Sequence, residues 1–303
     1  MRGFIGFTKR NLSIYFKDRQ SVIFSLLTSI IVFVLYLLFL KSTFVDAIEG
    51  AMQGLEEIVH ATDIEMFANG LLLTGILGSA MITVPFNCLS TIVKDRENKI
   101  DYDISATPLK RWQIILSYFL ASTISAIVMT GIILTVGLVV LSNMGDLYMD
   151  AIDILAAYGV ILLGSVSATA FFMILMLFFK SSEASGAFFG MLSAAAGFVI
   201  GAYIPISQFS DGVQTACNLF PASHVTALFR QVLLTGVLGE IDATIGGLDN
   251  GIFVEELKHT FTFQAKLFGE SFRGDWSAWY IAGATIVCLM IMIVLYARTY
   301  KRK

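Results

Sequence analysis

An all-α, polytopic membrane protein is the fold class this sequence predicts, and three observations carry it. Apolar residues (Ala, Val, Ile, Leu, Met, Phe, Trp, Tyr, Cys) make up 56% of the 303 positions, and Asp, Glu, Lys and Arg only 14%. Soluble domains carry about 25% charged residues, so this chain cannot cover its own surface with polar groups. Six stretches reach the roughly 20 apolar residues that cross a hydrocarbon core, and none contains Asp, Glu, Lys, Arg or His. These stretches lack the alternation of barrel strands, and lipid offers backbone groups no partner, so each is expected to be a helix.

Residues 1–20 read as a basic amphipathic helix. Ile5, Leu12 and Phe16 recur at steps of seven and four with Tyr15 beside them, while Arg10, Ser13 and Lys17 gather opposite. Such a helix lies in the membrane interface, either as a plain cationic anchor or as an elbow packed beside a partner protein. The rest, 21–303, forms one membrane domain. Its first span, Val22–Leu40, is too long for the apolar region of a signal peptide, although Val45-Asp46-Ala47 is a passable cleavage site. The second, Gly70–Val93, contains Pro85, expected to kink it, with Thr83, Asn87 and Ser90 near the freed carbonyl. Asn87 is the most polar residue in any span and either lines a cavity or bonds to another helix.

The segment 94–113 leads to the third span, Ile114–Leu141. Within Lys94–Ala106, Ile100 and Ile104 stand four apart among dense charges. They are expected to project with Tyr102 from a short helix that docks in a cleft, where an ordinary charged loop would merely be solvated. Thr107 fits a helix N-cap and Pro108 a first helical position. The fourth span is Ile154–Phe179 and the fifth Ala184–Ile206. The fifth carries Gly186, Gly190, Ala194, Gly197 and Gly201 on one stripe, which permits close packing within the chain, at a dimer seam or along a path. In the long segment 207–276, Pro221–Leu234 has an apolar face (Val225, Leu228, Phe229, Val232, Leu233) too short to span. It reads as a re-entrant segment or a surface helix. The sixth span is Ser277–Ala297. Trp112, Trp276, Trp279, Tyr296 and Tyr300 stand at span ends, as an aromatic belt requires.

Charge orients the spans. Segments 1–21, 94–113, 180–183 and 298–303 hold 15 Lys/Arg and 6 Asp/Glu, whereas 41–69, 142–153 and 207–276 hold 5 and 17. The Lys/Arg bias places the first set, and both termini, in the cytoplasm. Without ionisable groups in the spans, the chain lacks what proton- and sodium-coupled carriers, intramembrane proteases and voltage sensors keep at membrane depth. No Gly-Lys dipeptide occurs, so there is no phosphate-binding loop, and energy for uphill transport must come from another chain. Cys88, Cys217 and Cys288 lie in different segments and suggest neither a disulfide framework nor a metal site. A net charge of −3 gives no reason to expect a nucleic-acid partner.

Taken in order, the chain has a basic amphipathic start, two spans, Asp95-Arg96-Glu97-Asn98-Lys99, Thr107-Pro108-Leu109-Lys110-Arg111, then Asn218-Leu219-Phe220-Pro221-Ala222-Ser223-His224 and Leu228-Phe229-Arg230-Gln231-Val232-Leu233. That order resembles the permease subunit of a type 2 ABC exporter, the group of bacterial drug, antimicrobial-peptide and polysaccharide exporters. Two features depart from it: Asn98-Lys99-Ile100 replaces a common Gly, and Gly236–Gly274 is long for an outer connection. The resemblance implies that Arg96, Glu97, Ile100, Tyr102 and Ile104 belong to a coupling helix seated on a separate ATP-binding subunit. Residues 1–20, with Arg10, Leu12, Phe16 and Lys17, would be the connecting helix beside it. Pro221, His224 and Arg230 would belong to a re-entrant helix pair in the outer leaflet. Asn87, Gly190, Gly197 and Gly201 are candidates for the path or for helix packing. ATP and Mg would bind the partner, not this chain, and the assembly would include a second permease copy or paralogue and membrane lipid. The expected cargo is hydrophobic or amphipathic: a drug, an antimicrobial peptide or a lipid-like molecule. The alternatives are a lipid-linked glycan exporter, a passive channel, and a non-transporting immunity, sensor or assembly factor in the plasma membrane.

Cysteines introduced at positions 60 and 259 should label from outside the cell, and those at 99 and 300 from inside. Outside labelling of position 99 would overturn the six-span topology.

Overall fold

The computed structural model describes residues 2–51, 58–146, 148–271 and 274–299. Tyr300 and the last residues of the basic tail lie outside them. Helix α1 (Arg2–Lys17) is followed by α2 (Arg19–Leu35), which Asp18 caps by accepting from Ser21 N. A π-helical stretch, Tyr36–Leu40, carries α2 without a break into α3 (Lys41–Ala51). Then come α4 (Ala61–Glu97), α5 (Ile100–Ala106), α6 (Arg111–Ser142), α7 (Ala151–Met176) and α8 (Ser182–Val199). Helices α9 (Asp211–Asn218), α10 (Pro221–Ile245) and α11 (Ile252–Thr260) precede a two-stranded antiparallel hairpin, β1 (Lys266–Leu267) with β2 (Glu270–Ser271), in which Lys266 pairs with Ser271. Helix α12 (Gly274–Thr299) ends the described chain.

Among the described residues five helical rods are long and apolar enough to cross a membrane: Arg19–Gly50, Ala61–Glu97, Arg111–Ser142, Ala151–Met176 and Trp276–Leu295. The protein is thus an all-α polytopic membrane protein. The expected fifth span, 184–206, is cut short. Helix α8 has 18 residues, about 27 Å of rise, and stops at Val199. There Gly201 takes φ +68°, and the Gly197 carbonyl accepts from Ala202 N at 2.7 Å and Tyr203 N at 3.2 Å. A left-handed glycine turns the chain back, and the Tyr203 ring lies over Gly197.

Helix α4 is the axis of the bundle, with α2, α6, α7, α8 and α10 packed around it. Lipid tails are as apolar as leucine, so inside a membrane close approach and hydrogen bonds hold helices together rather than apolar burial. Both are present. Asn87 Nδ2 donates to Ser21 O (3.3 Å), Thr83 Oγ1 to Ser25 O (2.7 Å), and Ser29 and Ser79 share a hydroxyl contact at 3.1 Å. Three polar residues spaced four apart on α2 thus face three spaced four apart on antiparallel α4. Pro85 does not end α4, and Thr83, Asn87 and Ser90 bond to other carbonyls. Around Phe86, the rings of Phe172, Phe188 and Phe189 lie at 5.6–5.7 Å and join α4 to α7 and α8.

Pro221–Leu234, expected as a pair of short helices, belongs instead to one 25-residue helix. Pro221 occupies its first turn and Gly246, at φ +64°, ends it. Thr226 lies against Gly78, near the middle of α4, and Leu234 against Gly70. Helix α10 therefore starts deep beside α4 and runs antiparallel along its first half. Its residues 221–230 are buried on every face. The apolar face that left a surface helix open is one side of a segment enclosed by α4, α7 and α12. Nor are 41–51 and 207–271 mainly loops. Phe44, Phe67, Phe261 and Phe263 stack edge and face between α3, α4 and the end of α11, over a core containing Ile48, Ile241 and Leu257.

A Cβ on Gly78 would collide with both branches of the buried Thr226 side chain. Gly78→Ala should destabilise the protein by about 1–3 kcal/mol, the usual cost of overpacking. Thr226→Ala in the same chain should recover most of that loss, read as thermal stability in detergent. A Gly78→Ala chain as stable as the parent would refute this close contact.

Candidate functional site

Three of the segments carrying the Lys/Arg excess, 1–21, 94–113 and 180–183, meet at one end of the bundle, and the last four residues of α4 bind them together. Lys94 Nζ bonds Asp18 Oδ2 at 2.9 Å, reaching the cap of α2. Asp95, nearly buried, accepts both ends of the Arg10 guanidinium from α1 (2.7 and 2.8 Å) and the Tyr118 hydroxyl from α6 (2.5 Å). Arg96 Nη1 donates to the carbonyls of Leu177 (3.1 Å) and Phe179 (2.5 Å), just past the end of α7. Glu97 Oε2 accepts from Ser182 N (3.1 Å) at the start of α8, where a helix dipole favours negative charge. One helical turn thus holds five other helices, each through a charge-assisted bond.

Electrostatics at this end follow from those partners. Burial alone raises the Asp18 carboxyl, but hydrogen bonds from Lys94 and from the Ser21 hydroxyl and amide outweigh it and bring the group to about 2. Its folded value lies below the ordinary one, so the stability it contributes is complete above about pH 4 and lost as pH falls through about 2. The hydrogen bond to Asp95 raises Arg10, against the opposing effect of burial.

Helix α5 follows at once. Lys99 supplies a left-handed turn (φ 61°), and Thr107 Oγ1 closes the other end on Ile104 O (2.6 Å). Sequence periodicity favours Ile100 and Ile104 as the projecting residues, and the structure reverses this. Ile104 is buried in the core shared with Ile92, Ile114 and Ile115, and Ile100 is half-buried against it. Tyr102 is 72% exposed, flanked by exposed Asp103 and Ser105. A seven-residue helix next to a hydrophobic bundle turns its aliphatic pair inward. Arg96 and Glu97, expected at the rim of a partner, are engaged within the chain.

Helix α1 packs on the bundle through a mixed face. Its buried stripe is Phe7, Asn11 and Tyr15, with Phe7 edge-on to Tyr118 at 5.1 Å. Ile5, Phe16 and Lys17 are exposed, and Leu12 is half-buried. Arg10 and Asn11 find polar partners inside, so the most apolar stripe is not the inward one.

Between α2 and α8 runs an open groove of about 800 Å³, lined by apolar side chains including Phe24, Ile31, Phe39, Phe189, Tyr203 and Ile204. Gly186 and Gly190 border it with open space above them, whereas Gly197 is covered by Tyr203. Toward the basic end the groove continues, through Phe24, Gly186 and Phe189, into a polar hollow of about 330 Å³ floored by Asp18, Asn87, Ser90 and Lys94. Asn87 therefore both bonds to α2 and faces this hollow. At the opposite end, His224 bonds the carbonyl of Asn218 (2.8 Å) and stacks on Tyr280 (4.2 Å). Arg230 is buried and donates to four backbone carbonyls. Asp18, Tyr118, Ser21 and Ser25 escaped the sequence reading, and Asp95 was read only as part of a stretch, without its role. The readable signal for the serines was the matching four-residue spacing on two consecutive spans.

A bundle of membrane-crossing helices, bound together at one end beside a short helix that exposes a single aromatic, defines a multi-pass membrane protein. The model of the ABC-2 family transporter proteins matches residues 52–298, and the chain belongs to that family. It is therefore a membrane permease of an ABC transporter, and the family implies an ATP-binding partner. No curated protein matches the chain.

Arg10→Met leaves the Asp95 carboxylate buried with only Tyr118 and should cost about 2 kcal/mol of stability. Adding Asp95→Asn removes the stranded charge, so the double variant should be more stable than strict addition of the two single losses. Thermal unfolding in detergent measures the cycle, and strictly additive losses would dissolve the pair.

Proposed function

We propose that this chain is the permease of an exporter that pairs with a second permease copy or paralogue and with two ATP-binding subunits. It sits in the plasma membrane of a bacterium with both termini in the cytoplasm. The orientation rests on the Lys/Arg partition. Counting α8 as a short sixth span makes the number of crossings even, as two cytoplasmic termini require. The bacterial setting and the outward direction rest on the resemblance to drug, peptide and polysaccharide exporters.

The observation that carries this reading is the exposed Tyr102 on a short helix attached directly to the α4 turn that grips α1, α2, α6, α7 and α8. A push on α5 from an ATP-binding partner reaches α4 through two residues of chain, and the rest of the bundle through four side chains. Ile104 anchors α5 so that load passes to the bundle rather than bending the loop. Membrane lipid covers the exposed apolar faces of α2, α6 and α12 outside the permease contact.

The groove between α2 and α8 suits an amphipathic cargo: a polar group of modest size over Asn87, Ser90 and Lys94, and a long apolar part against Phe24, Ile31 and Phe189. A lipid-like molecule, a hydrophobic drug or an apolar peptide segment matches it better than a free sugar chain, which would need a polar lining along its whole length. ATP and Mg belong to the partner, and this chain contributes position and transmission.

Tyr102→Asp should weaken partner binding about 30-fold, the scale of a buried aromatic hot spot, and abolish cargo-stimulated ATP hydrolysis in the complex. Ile104→Asp should instead reduce the yield of folded protein. Purified without its partner the chain should hydrolyse no ATP. Undiminished partner affinity in Tyr102→Asp would remove α5 from the docking surface.

A further inference from the structure

At the end of the bundle opposite α5, the 3₁₀ turn Ile206–Gln208, α9, α11 and the β-hairpin surround a cavity of about 110 Å³ whose lining side chains are all polar. It has room for several waters or one tetrahedral oxyanion, but not for a nucleotide or a sugar chain. Its floor is Asn218 and Thr262, 1% and 7% exposed. Asn218 is held twice: its backbone carbonyl bonds His224 Nε2 (2.8 Å), and its Nδ2 donates to Lys266 O (2.8 Å). A carbonyl can only accept, so the amide nitrogen has to face Lys266 and Oδ1 is left over. Among the described residues neither Asn218 Oδ1 nor Thr262 Oγ1 has a hydrogen-bond partner. Buried polar atoms are rarely left so, and here two belong to the lining of one cavity.

The charge around the cavity is positive. Lys258 Nζ is paired with Glu255 Oε1 (2.8 Å), so those two lining charges offset each other. Lys266, whose Nζ lies 2.9 Å from His259 Nε2, pairs with no carboxylate among the described residues. Behind the floor stands Arg230, 3% exposed, whose Nη1 donates to Thr262 O (3.2 Å). It too pairs with no carboxylate among the described residues, and what meets its charge is backbone carbonyls. Two cations without a counter-charge, one at the rim and one behind the floor, favour an anion in the cavity.

The two floor atoms narrow the class of anion. Thr262 Oγ1 can donate, but Asn218 Oδ1 can only accept, so the ligand has to carry a proton as well as negative charge. Hydrogen phosphate keeps one P–OH at neutral pH, whereas sulfate and phosphodiesters have none. A phosphomonoester has largely lost its own above about pH 6. We propose that this cavity binds inorganic phosphate, its P–OH donating to Asn218 Oδ1 and its other oxygens accepting from Thr262 Oγ1 and Lys266 Nζ. Bound there, the ion ties α9 to the end of α11 and to the hairpin. The site shares no lining residue with the α2–α8 groove and depends on no transport step.

The test titrates the full chain, purified in detergent free of phosphate and sulfate, with inorganic phosphate by isothermal calorimetry, and then with sulfate. One phosphate per chain should bind. Sulfate should bind about 30-fold more weakly, the scale of setting a buried acceptor against an anion. Thr262→Val keeps the branched shape and removes only the unpartnered hydroxyl. Without phosphate this variant should unfold at the same temperature as the parent or higher, yet its phosphate affinity should fall about tenfold. Lys266→Met, at the half-buried rim, should lose about 30-fold. No phosphate binding up to about 10 mM, equal affinity for sulfate, or parental phosphate affinity in Thr262→Val would each overturn the site. Displacement of bound phosphate by glycerophosphocholine, a phosphodiester, would do the same. Should Thr262→Val fail to fold, the sulfate comparison and Lys266→Met decide the matter.

Discussion

The arrangement depends on one turn of helix. Lys94, Asp95, Arg96 and Glu97 end α4, and each faces a different neighbour because successive side chains on a helix point about 100° apart. A surface helix spends such positions on solvent. Here α4 stands at the centre of the bundle, so each of the four side chains of its last turn finds a neighbouring helix, although Glu97 stays exposed. Two of the contacts are ion pairs, and two complete helix ends that would otherwise leave carbonyls or amides unmet. At the membrane boundary, where the dielectric falls, bonds of this kind are worth more than on a free surface.

Above that turn the α4 seam changes character. Hydroxyl and amide contacts with Ser21, Ser25 and Ser29 hold α2, glycines admit α10, and a cluster of phenylalanines joins α7 and α8. Lipid supplies no apolar driving force for these contacts, which is why small and polar residues mark the interior while Ile23, Phe33, Val136 and Ile293 face outward. The outcome is a bundle gripped tightly at the basic end and left open along the α2–α8 groove. On the function proposed above, a movement imposed at α5 would be carried by the gripped end and expressed where the packing is sparse.

How much of this was legible in the sequence follows from what each feature depends on. Five of the six spans were readable because length and lack of charge decide them, and the clustering of the described basic segments at one end of the bundle follows from the same counts. Side-chain facing was not readable where polar pairs compete with hydrophobicity. The inward face of α1 is set by Arg10 reaching Asp95 on α4 and by Phe7 against Tyr118, pairings that a single-helix pattern does not display. Ile104 was misplaced because a short helix beside a membrane bundle already has an apolar surface to cover. Arg230 and His224 marked a segment by resemblance, but the partners of Arg230 are backbone carbonyls and those of His224 include one, which no residue pattern displays. The break at Gly201 hides inside a small-residue stripe that looks like uninterrupted helix.

The central claim is that the basic end moves as one body. Paired spin labels at the exposed positions Lys9, Ser105 and Lys180 test it most directly, by double electron–electron resonance in the complex with and without trapped nucleotide. The account predicts that the three distances within one chain stay the same while the Ser105 distance between the two permease copies changes. A nucleotide-dependent change between Ser105 and Lys180 of the same chain would mean that α5 moves apart from α7 and α8, and would contradict it.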